Sequence, residues 1–341
     1  MSNRTRLRTR AAAAAVLLVA GGVSGCAANG ADDGETKTIR YQTNAGLVDL
    51  PELADALGYF DGTGIKLDRV GDVQGGPESL RAVATDQVDY GGAFNGAIAK
   101  LASTGAPITA VIAYYGSDDD VSSSLLVNKD SGIESAEDLI GKKIAVNTLG
   151  ANAEAVIDTY LEEEGLSQDE IDEVTLVPLP SINAEAALRE GQVDGAYLFG
   201  SLKEVALEHG GVEELVNDIE LVGPYNGGSY VLSDRFIQEN PTTTKDFVGA
   251  IAKALEYSQT HSIDEIREVM KKYLEDHGRG DFASALDLWQ GTGVPSKGGV
   301  ITDEDFTLWL DWLEAEGEVD TGAIEPGEIY TNDYNPYAEE K

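Results

Sequence analysis

The chain has little of the residue types on which metal and redox chemistry depend. It contains one cysteine, Cys26, and three histidines in 341 residues. A single cysteine excludes an intramolecular disulfide and any cluster of thiolate ligands. His209, His261 and His277 have no cysteine or second histidine at metal-ligand spacing, so we expect them at the surface. The sequence therefore predicts neither a metal site nor another cofactor.

Signature motifs of common catalysts are absent as well. The sequence has no Gly-x-Ser-x-Gly nucleophile motif, no phosphate-binding P-loop and no His-Glu-x-x-His motif. Basic residues are scarce, because 24 lysines and arginines stand against 61 aspartates and glutamates, for a formal net charge of −37. Such an excess of negative charge disfavours nucleic acid and anionic lipid surfaces as partners. These absences predict a protein that is not an enzyme and does not bind nucleic acid.

The first 25 residues have the pattern of a signal peptide. Four arginines lie between residues 4 and 10, an apolar stretch follows at 11–20, and small residues occupy 23–25. The apolar stretch is too short to span a bilayer. Val-Ser-Gly-Cys resembles the lipobox of bacterial lipoproteins, which implies that Cys26 is lipidated and becomes the mature N-terminus. We therefore expect the protein on the outer face of the cytoplasmic membrane, held by a lipid anchor.

The remaining sequence predicts a tether and two α/β lobes. Residues 26–37 are polar and rich in glycine and aspartate, as in a flexible linker. The rest of the chain is too long for one small core and suits two domains of common size. We assign residues 38–124 and 230–341 to lobe I and residues 125–229 to lobe II.

Residues 135–166 predict a complete unit of short helix, strand, loop and helix. Residues 143–146 form a brief apolar strand, and the apolar spacing after Ala153 predicts a helix that Gly165 ends. The loop at 147–152 would present free backbone N–H groups and the positive end of a helix dipole, which can receive a carboxylate or sulfonate. An ordinary strand-to-helix connection is the commoner explanation for such a loop.

Strand-to-helix turns recur along the chain, and Gln-Val-Asp appears at 87–89 and again at 192–194 in similar contexts. Ligands of open α/β sheets bind beyond the carboxyl ends of the strands. We therefore predict the ligand site from the amides, neutral donors and aromatic residues at these ends, although the aromatic members could instead belong to the core. The predicted ligand-binding residues are Gln42, Asn44, Gln74, Gly75, Phe94, Asn95, Tyr114, Tyr115, Thr148, Leu149, Gly150, Asn152, Tyr197, Phe199 and Tyr225.

The remainder of the second half is predicted to be mainly helical. Lys203 to Val216 is expected to be one helix, and Ser229 to Leu232 a strand that crosses back to lobe I. Apolar residues at helical spacing predict further helices between residues 241 and 313, and the tail from Thr321 is expected to be irregular.

Several motifs in a fixed order resemble the nitrate/sulfonate/taurine-type solute-binding proteins of ABC importers, a superfamily that also contains binders of the thiamine pyrimidine precursor. They are Gly58-Tyr59-Phe60, Gln87 to Gly91, Gly105 to Ile108, Leu139 to Val146 and Ala187 to Asp194. The resemblance covers roughly residues 38–260. It implies an α/β, two-lobed periplasmic-binding-protein fold (type II), with a mostly parallel sheet flanked by helices in each lobe and two crossing strands as the hinge. It further implies a monomer that closes over a small solute and delivers it to the permease and ATPase of the importer.

The resemblance leaves the ligand open between sulfonate, taurine or nitrate and a pyrimidine or other heteroaromatic molecule. Sulfonate-binding members have a serine-rich loop at the position of 148–152, whereas this chain has the single hydroxyl of Thr148. Glu154 would repel an anion, could pair with an amine such as that of taurine, or could cap its helix. A surface sensor would use the same fold. The related pyrimidine-precursor synthases carry a cysteine-rich motif, which this chain cannot reproduce because its one cysteine is Cys26.

Overall fold

The computed structural model describes residues 34–44, 47–73, 75–320 and 322–338. The predicted signal peptide, Cys26, most of the predicted tether and the predicted site residue Gln74 lie outside these ranges. From Glu35 onward, the described residues belong to one compact unit. None of its described helices combines the length and the apolar character that crossing a bilayer requires.

Strands and helices alternate along most of the described chain, as the sequence predicts. The strands are β1 (Thr38–Gln42), β2 (Lys66–Gly71), β3 (Tyr90–Phe94), β4 (Ile108–Ser117), β5 (Ser123–Asn128), β6 (Lys143–Val146), β7 (Thr175–Pro178), β8 (Gly195–Phe199), β9 (Val212–Asn217) and β10 (Tyr225–Ser233). The helices are α1 (Leu50–Ala56), α2 (Gly76–Ala84), α3 (Asn95–Ser103), α4 (Asn152–Glu163), α5 (Gln168–Ile171), α6 (Ser181–Arg189), α7 (Gly200–Glu208), α8 (Asp218–Val222), α9 (Asp234–Glu239), α10 (Pro241–Thr260), α11 (Ile263–Asp276) and α12 (Glu304–Ala315).

The strands of the described residues form three sheets. A two-stranded sheet pairs β1 with β2, a three-stranded sheet has the order β3-β10-β4, and a five-stranded sheet has the order β7-β6-β8-β5-β9. The α/β fold is confirmed, but the prediction of mostly parallel sheets is wrong. β10 runs antiparallel to both of its neighbours, and β5 runs antiparallel to β8 and β9. The long strands β4 and β10 pair with each other. The chain crosses between the three-stranded and the five-stranded sheet at residues 118–122 and again at 218–224.

The five-stranded sheet takes all its strands from residues 123–217, and the other two sheets take theirs from 38–117 and 225–233. The residues of the five-stranded sheet fall almost entirely within the range predicted for lobe II, and those of the other two sheets fall within the ranges predicted mainly for lobe I. The lobe boundaries themselves stay a prediction.

The predicted helix from Lys203 to Val216 is wrong in its second half. Helix α7 ends at Glu208, and Gly210 and Gly211 both adopt positive φ angles, of 68° and 77°. Glycine adopts this left-handed region without the strain that a Cβ would cause. The chain therefore turns, and residues 212–217 become strand β9, which pairs with β5 along the edge of the five-stranded sheet.

A buried carboxylate joins α4 to α12. Asp158 of α4 is 8% exposed, and its Oδ2 accepts a hydrogen bond from Trp312 Nε1 at 3.2 Å. Burial, together with the nearby charges of Glu316 and Glu154, raises the pKa of Asp158 to about 8. Ionised Asp158 therefore lowers the stability of the folded chain.

We expect Asp158→Asn to raise the free energy of unfolding by about 2 kcal/mol at pH 8.5. The pKa of Asp158 is about 8 in the folded chain and near 3.8 when the chain is unfolded. Wild-type stability should therefore fall as the pH rises from about 4 to 8, whereas asparagine keeps an acceptor for Trp312 without the charge. Urea titrations between pH 4 and 9 measure this difference. Exposed Asp169→Asn is the control, and the same pH dependence in Asp158→Asn and wild type would contradict the prediction.

Candidate functional site

A cavity of about 400 Å³ lies where β1 ends, α1 and α2 begin and the three-stranded sheet presents its tyrosines. This volume is within the range of small-molecule sites. Its walls consist mainly of aromatic, apolar and uncharged polar residues. They include Gln42, Thr43, Asn44, Leu47, Asp49, Val73, Gly75, Gly76, Ser79, Tyr90, Gly92, Tyr114, Tyr115, Tyr230, Met270, Leu286, Trp289, Gly291 and Thr292.

Four tyrosines form one wall of this cavity. Tyr90 and Tyr230 are buried, and their rings meet edge to face with centroids 5.5 Å apart. Tyr114 stacks on Tyr230 at 4.2 Å and contacts Tyr115 edge to face at 4.9 Å. The sheet order β3-β10-β4 places these side chains together, because each of the three strands supplies at least one of them. Tyr90 and Tyr230 are therefore fixed within the sheet, whereas Tyr114 and Tyr115 are half-buried and partly accessible to solvent.

Gly92 of β3 makes room for the Tyr114 ring. A Cβ at position 92 would lie 2.9 Å from Tyr114 Cε1 and 3.0 Å from its hydroxyl oxygen. Carbon atoms in contact are normally 3.5–4.0 Å apart. A side chain at this position would therefore push Tyr114 into the cavity.

Asp49 is the charged side chain among the described lining residues, which include no lysine, arginine or histidine. It is the N-cap of α1, where its Oδ1 accepts from the Glu52 N–H at 3.0 Å. Its Oδ2 accepts from the Tyr90 hydroxyl at 2.8 Å. Burial and the neighbouring Glu52 raise the pKa of Asp49 to about 7. The cavity wall thus holds a carboxylate whose negative charge is costly in its buried surroundings.

A buried ion pair lies behind Asp49. Glu52 is fully buried, and its Oε1 accepts from Arg279 Nη2 at 2.7 Å and from the Tyr41 hydroxyl at 2.5 Å. Arg279 also donates from Nη1 to the Leu47 carbonyl at 3.2 Å. The guanidinium therefore neutralises Glu52 and fixes the loop that leads into α1.

The segment from Leu286 to Gly293 borders the cavity and was not predicted from the sequence. Arg267 of α11 donates from Nε to the Trp289 carbonyl at 2.8 Å, and Gly116 of β4 donates its N–H to the Thr292 carbonyl at 3.0 Å. These bonds hold Trp289 and Thr292 at the wall. The run Trp-Gln-Gly-Thr-Gly at 289–293 is the local signal that could have indicated a ligand-facing loop.

The structure brings together five of the predicted site residues at this cavity, and the other described ones do not line it. The five that line it are Gln42, Asn44, Gly75, Tyr114 and Tyr115.

Phe94 and Asn95 lie in the interior rather than at the cavity. Phe94 is 3% exposed and packs edge to face on Trp309 at 4.8 Å. Asn95 Nδ2 donates to the Asn226 carbonyl at 3.0 Å, and Asn95 Oδ1 accepts from the Ser229 hydroxyl at 2.8 Å. Both side chains are occupied in joining α3 to β10 and α12.

Tyr197 and Phe199, at the end of β8, contact each other edge to face at 5.2 Å. Tyr197 is almost fully buried. Neither residue lines the cavity.

The predicted anion loop lies beside the cavity, but its donors are partly used. The Gly150 N–H donates to Glu154 Oε2 at 2.7 Å, so Glu154 occupies the start of α4 as a capping carboxylate. Asn152 Nδ2 donates to the Tyr225 hydroxyl at 2.9 Å, and Leu149 is 48% exposed. The Thr148 methyl group lies 3.8 Å from where a Cβ on Gly75 would be, so the loop reaches the rim at this point.

Asp218 connects the two strand crossings near Tyr225. Its Oδ2 accepts from the Ser117 hydroxyl at 2.6 Å and from the Tyr225 hydroxyl at 3.2 Å. Its Oδ1 accepts from the Ser123 N–H at 3.0 Å. One buried carboxylate therefore joins the end of β4, the start of β5 and the start of β10.

Within the described ranges, no group of histidine, cysteine, aspartate and glutamate side chains has the arrangement of a metal site. The described lining has neither histidine nor lysine, and its carboxylate, Asp49, accepts a hydrogen bond from the Tyr90 hydroxyl. Its chemistry is that of a pocket that surrounds a molecule with aromatic walls and contacts it with one carboxylate and several uncharged polar groups.

Comparison with known proteins gives a family match and several similar structures. The model of the family described as NMT1/THI5 like matches residues 52–262. A protein of Bacillus subtilis (strain 168), named for binding aliphatic sulfonates, is 28% identical over 267 residues, which cover 74% of this chain and 77% of that protein.

Two solved structures illustrate the shared fold. The alkanesulfonate-binding protein SsuA from Xanthomonas axonopodis pv. citri, bound to MOPS, is 19% identical, with a TM-score of 0.64 over 87% of this chain and 99% of that one. The periplasmic nitrate-binding protein NrtA from Synechocystis PCC 6803 is 11% identical, with a TM-score of 0.66 over 88% of this chain and 87% of that one.

Proposed function

The chain belongs to the NMT1/THI5-like family, and from that premise we propose that it is the solute-binding component of an ABC importer. It captures a small organic solute in the tyrosine-walled cavity and delivers it to a membrane permease and its ATPase. The proposal includes a lipid anchor at Cys26 and a monomer with the two lobes assigned from the sequence. The sulfonate-binding relative and the two similar structures support a solute-binding role.

The observation that carries the proposal is the cavity itself. It is large enough for a small organic molecule, and its buried tyrosines are held by a continuous sheet. Rigid aromatic walls with a few placed polar groups are typical of small-molecule binding sites. The described lining has no serine or cysteine paired with a histidine or lysine, so a non-catalytic receptor accounts for the site better than an enzyme.

A thermal-shift screen of the purified protein tests the proposal. The panel contains sulfonates, taurine, nitrate, pyrimidines, flavins and organic ammonium compounds. A ligand at a hundred times its dissociation constant adds about 2.7 kcal/mol of stability, which is a clear shift of the melting temperature. Failure of every panel member to shift the melting curve would contradict the proposed substrate classes.

A heteroaromatic ligand is the second candidate, and a specific observation favours it over nitrate. The four tyrosines and Trp289 offer a wall suited to a flat ring, whereas nitrate is far smaller than a cavity of about 400 Å³. The pyrimidines and flavins in the panel distinguish this candidate from a sulfonate.

We expect Gly92→Ala to weaken binding of any solute that occupies the cavity by about a hundredfold, since the new methyl group displaces Tyr114 into the space. Titration calorimetry with the best ligand of the screen measures the loss. Gly249→Ala is the matched control, because a Cβ at that helical position meets no atom within 4 Å. Equal affinity in Gly92→Ala and wild type would remove the cavity from the binding site.

A further inference from the structure

We infer that the solute of this cavity carries a positively charged ammonium head group, which the Asp49 carboxylate and the surrounding aromatic side chains recognise. The inference rests on the proposed solute-binding function and names the chemical class of the ligand. The proposed ligand is positively charged, whereas the sulfonates after which the similar proteins are named are negatively charged.

The first argument is the balance of charge at the cavity. Asp49 lines it, and the described lining contains no basic side chain. The neighbouring Glu52 is already paired with Arg279 at 2.7 Å, and the described hydrogen bonds of Arg279 go to Glu52 and to the Leu47 carbonyl rather than to Asp49. Among the described residues, Asp49 receives two neutral hydrogen bonds, from the Glu52 N–H and the Tyr90 hydroxyl. The site therefore has one negative charge that a bound cation would neutralise.

The second argument is the set of aromatic side chains around this carboxylate. Tyr90 contacts Asp49 directly, and Tyr114, Tyr115 and Tyr230 continue the wall from there. Trp289, in the segment from Leu286 to Gly293, borders the same cavity. Aromatic rings attract organic cations through their negative faces, and sites for quaternary ammonium groups combine several such rings.

The third argument is what the structure offers an anion. At the loop predicted for a sulfonate, the Gly150 N–H is bonded to the Glu154 carboxylate, which already occupies the start of α4. At the start of α1 the Glu52 N–H is bonded to Asp49. The formal net charge of −37 attracts cations and repels anions at long range. Charge at both short and long range therefore favours a cationic solute.

Titration calorimetry with matched probes tests the inference. The cationic probes are choline and benzyltrimethylammonium, and the neutral probe is 3,3-dimethylbutan-1-ol, which replaces the choline nitrogen with carbon at nearly the same shape. Ethanesulfonate is the anionic probe. We expect at least one cation to bind wild type about tenfold or more tightly than the neutral alcohol.

The variant Asp49→Asn removes the charge while asparagine keeps the N-cap of α1. It should weaken cation binding about tenfold and leave the neutral alcohol unchanged. Asp68→Asn, at an exposed position of β2, alters the net charge equally and should change neither affinity. A circular-dichroism melt confirms that both variants are folded.

The outcomes separate this inference from the proposed function. Binding of ethanesulfonate, or of another panel solute, without cation binding would overturn the inference and leave the receptor function standing. Cation binding that is equal in Asp49→Asn and wild type would also overturn it. Failure of the entire solute screen counts against the function itself.

Discussion

Replacing Arg279 with methionine is expected to lower the free energy of unfolding by about 4 kcal/mol. The substitution leaves Glu52 fully buried and without the cation that lies 2.7 Å from its Oε1. The Tyr41 hydroxyl remains as a donor, but one neutral hydrogen bond does not replace a full positive charge. Urea denaturation followed by circular dichroism at pH 7 measures the loss.

The double variant Glu52→Gln/Arg279→Met is the control for this prediction. It removes both charges, so it should recover much of the stability that Arg279→Met alone loses, as replaced buried ion pairs commonly do. A double variant as unstable as the single one would show that Arg279 acts by packing rather than by neutralising Glu52.

Asp218→Ala is expected to cost about 3 kcal/mol of unfolding free energy. It removes the acceptor shared by the Ser117 hydroxyl, the Ser123 N–H and the Tyr225 hydroxyl, all near the two strand crossings. Each buried donor left without a partner costs about 1–3 kcal/mol. Because burial raises the pKa of Asp218, an uncharged replacement that keeps an acceptor should be milder.

The comparison of Asp218→Asn and Asp218→Ala by urea denaturation isolates the hydrogen bonds from the charge. Asp118→Ala is the surface control, since Asp118 also accepts two backbone N–H groups, from Asp120 and Val121, but in a more exposed turn. Equal losses of unfolding free energy in Asp118→Ala and Asp218→Ala would contradict the prediction that the buried hydrogen bonds of Asp218 stabilise the fold more than exposed ones do.

Elements with a clear local pattern could be predicted from the sequence. Strand β6 has the predicted bounds Lys143–Val146. Helix α4 follows the predicted apolar spacing, and Gly165 turns the chain after it with a φ of 88°. Apolar periodicity and glycine positions are local properties, so they can be interpreted without knowledge of the fold.

Features set by tertiary contacts were not predicted. Tyr114 was predicted for the site because it ends an apolar strand, but Tyr90 and Tyr230 have the appearance of core residues, and only the sheet order reveals them at the cavity. From the sequence, Asp49 is an ordinary candidate for a helix N-cap. Its position at the cavity becomes visible only in the structure, where the Tyr90 hydroxyl donates to it. The direction of a strand likewise depends on distant pairing. The strand at Ser229 to Leu232 was therefore predicted, but its antiparallel pairing with β3 and β4 was not.

The loop at 147–152 shows the limit of a motif that is interpreted alone. Its sequence left open an anion site or an ordinary strand-to-helix connection. Glu154, four residues from Gly150, already accepts the Gly150 N–H that an anion would use. The cavity instead lies toward the tyrosines of the three-stranded sheet.

A crystal structure of the protein with the solute that gives the largest thermal shift tests the central claim most directly. The account predicts the solute inside the cavity of about 400 Å³, in contact with Asp49 and with the Tyr114 ring. A solute bound outside this cavity, for example on the loop at 147–152 without contact to either residue, would contradict it.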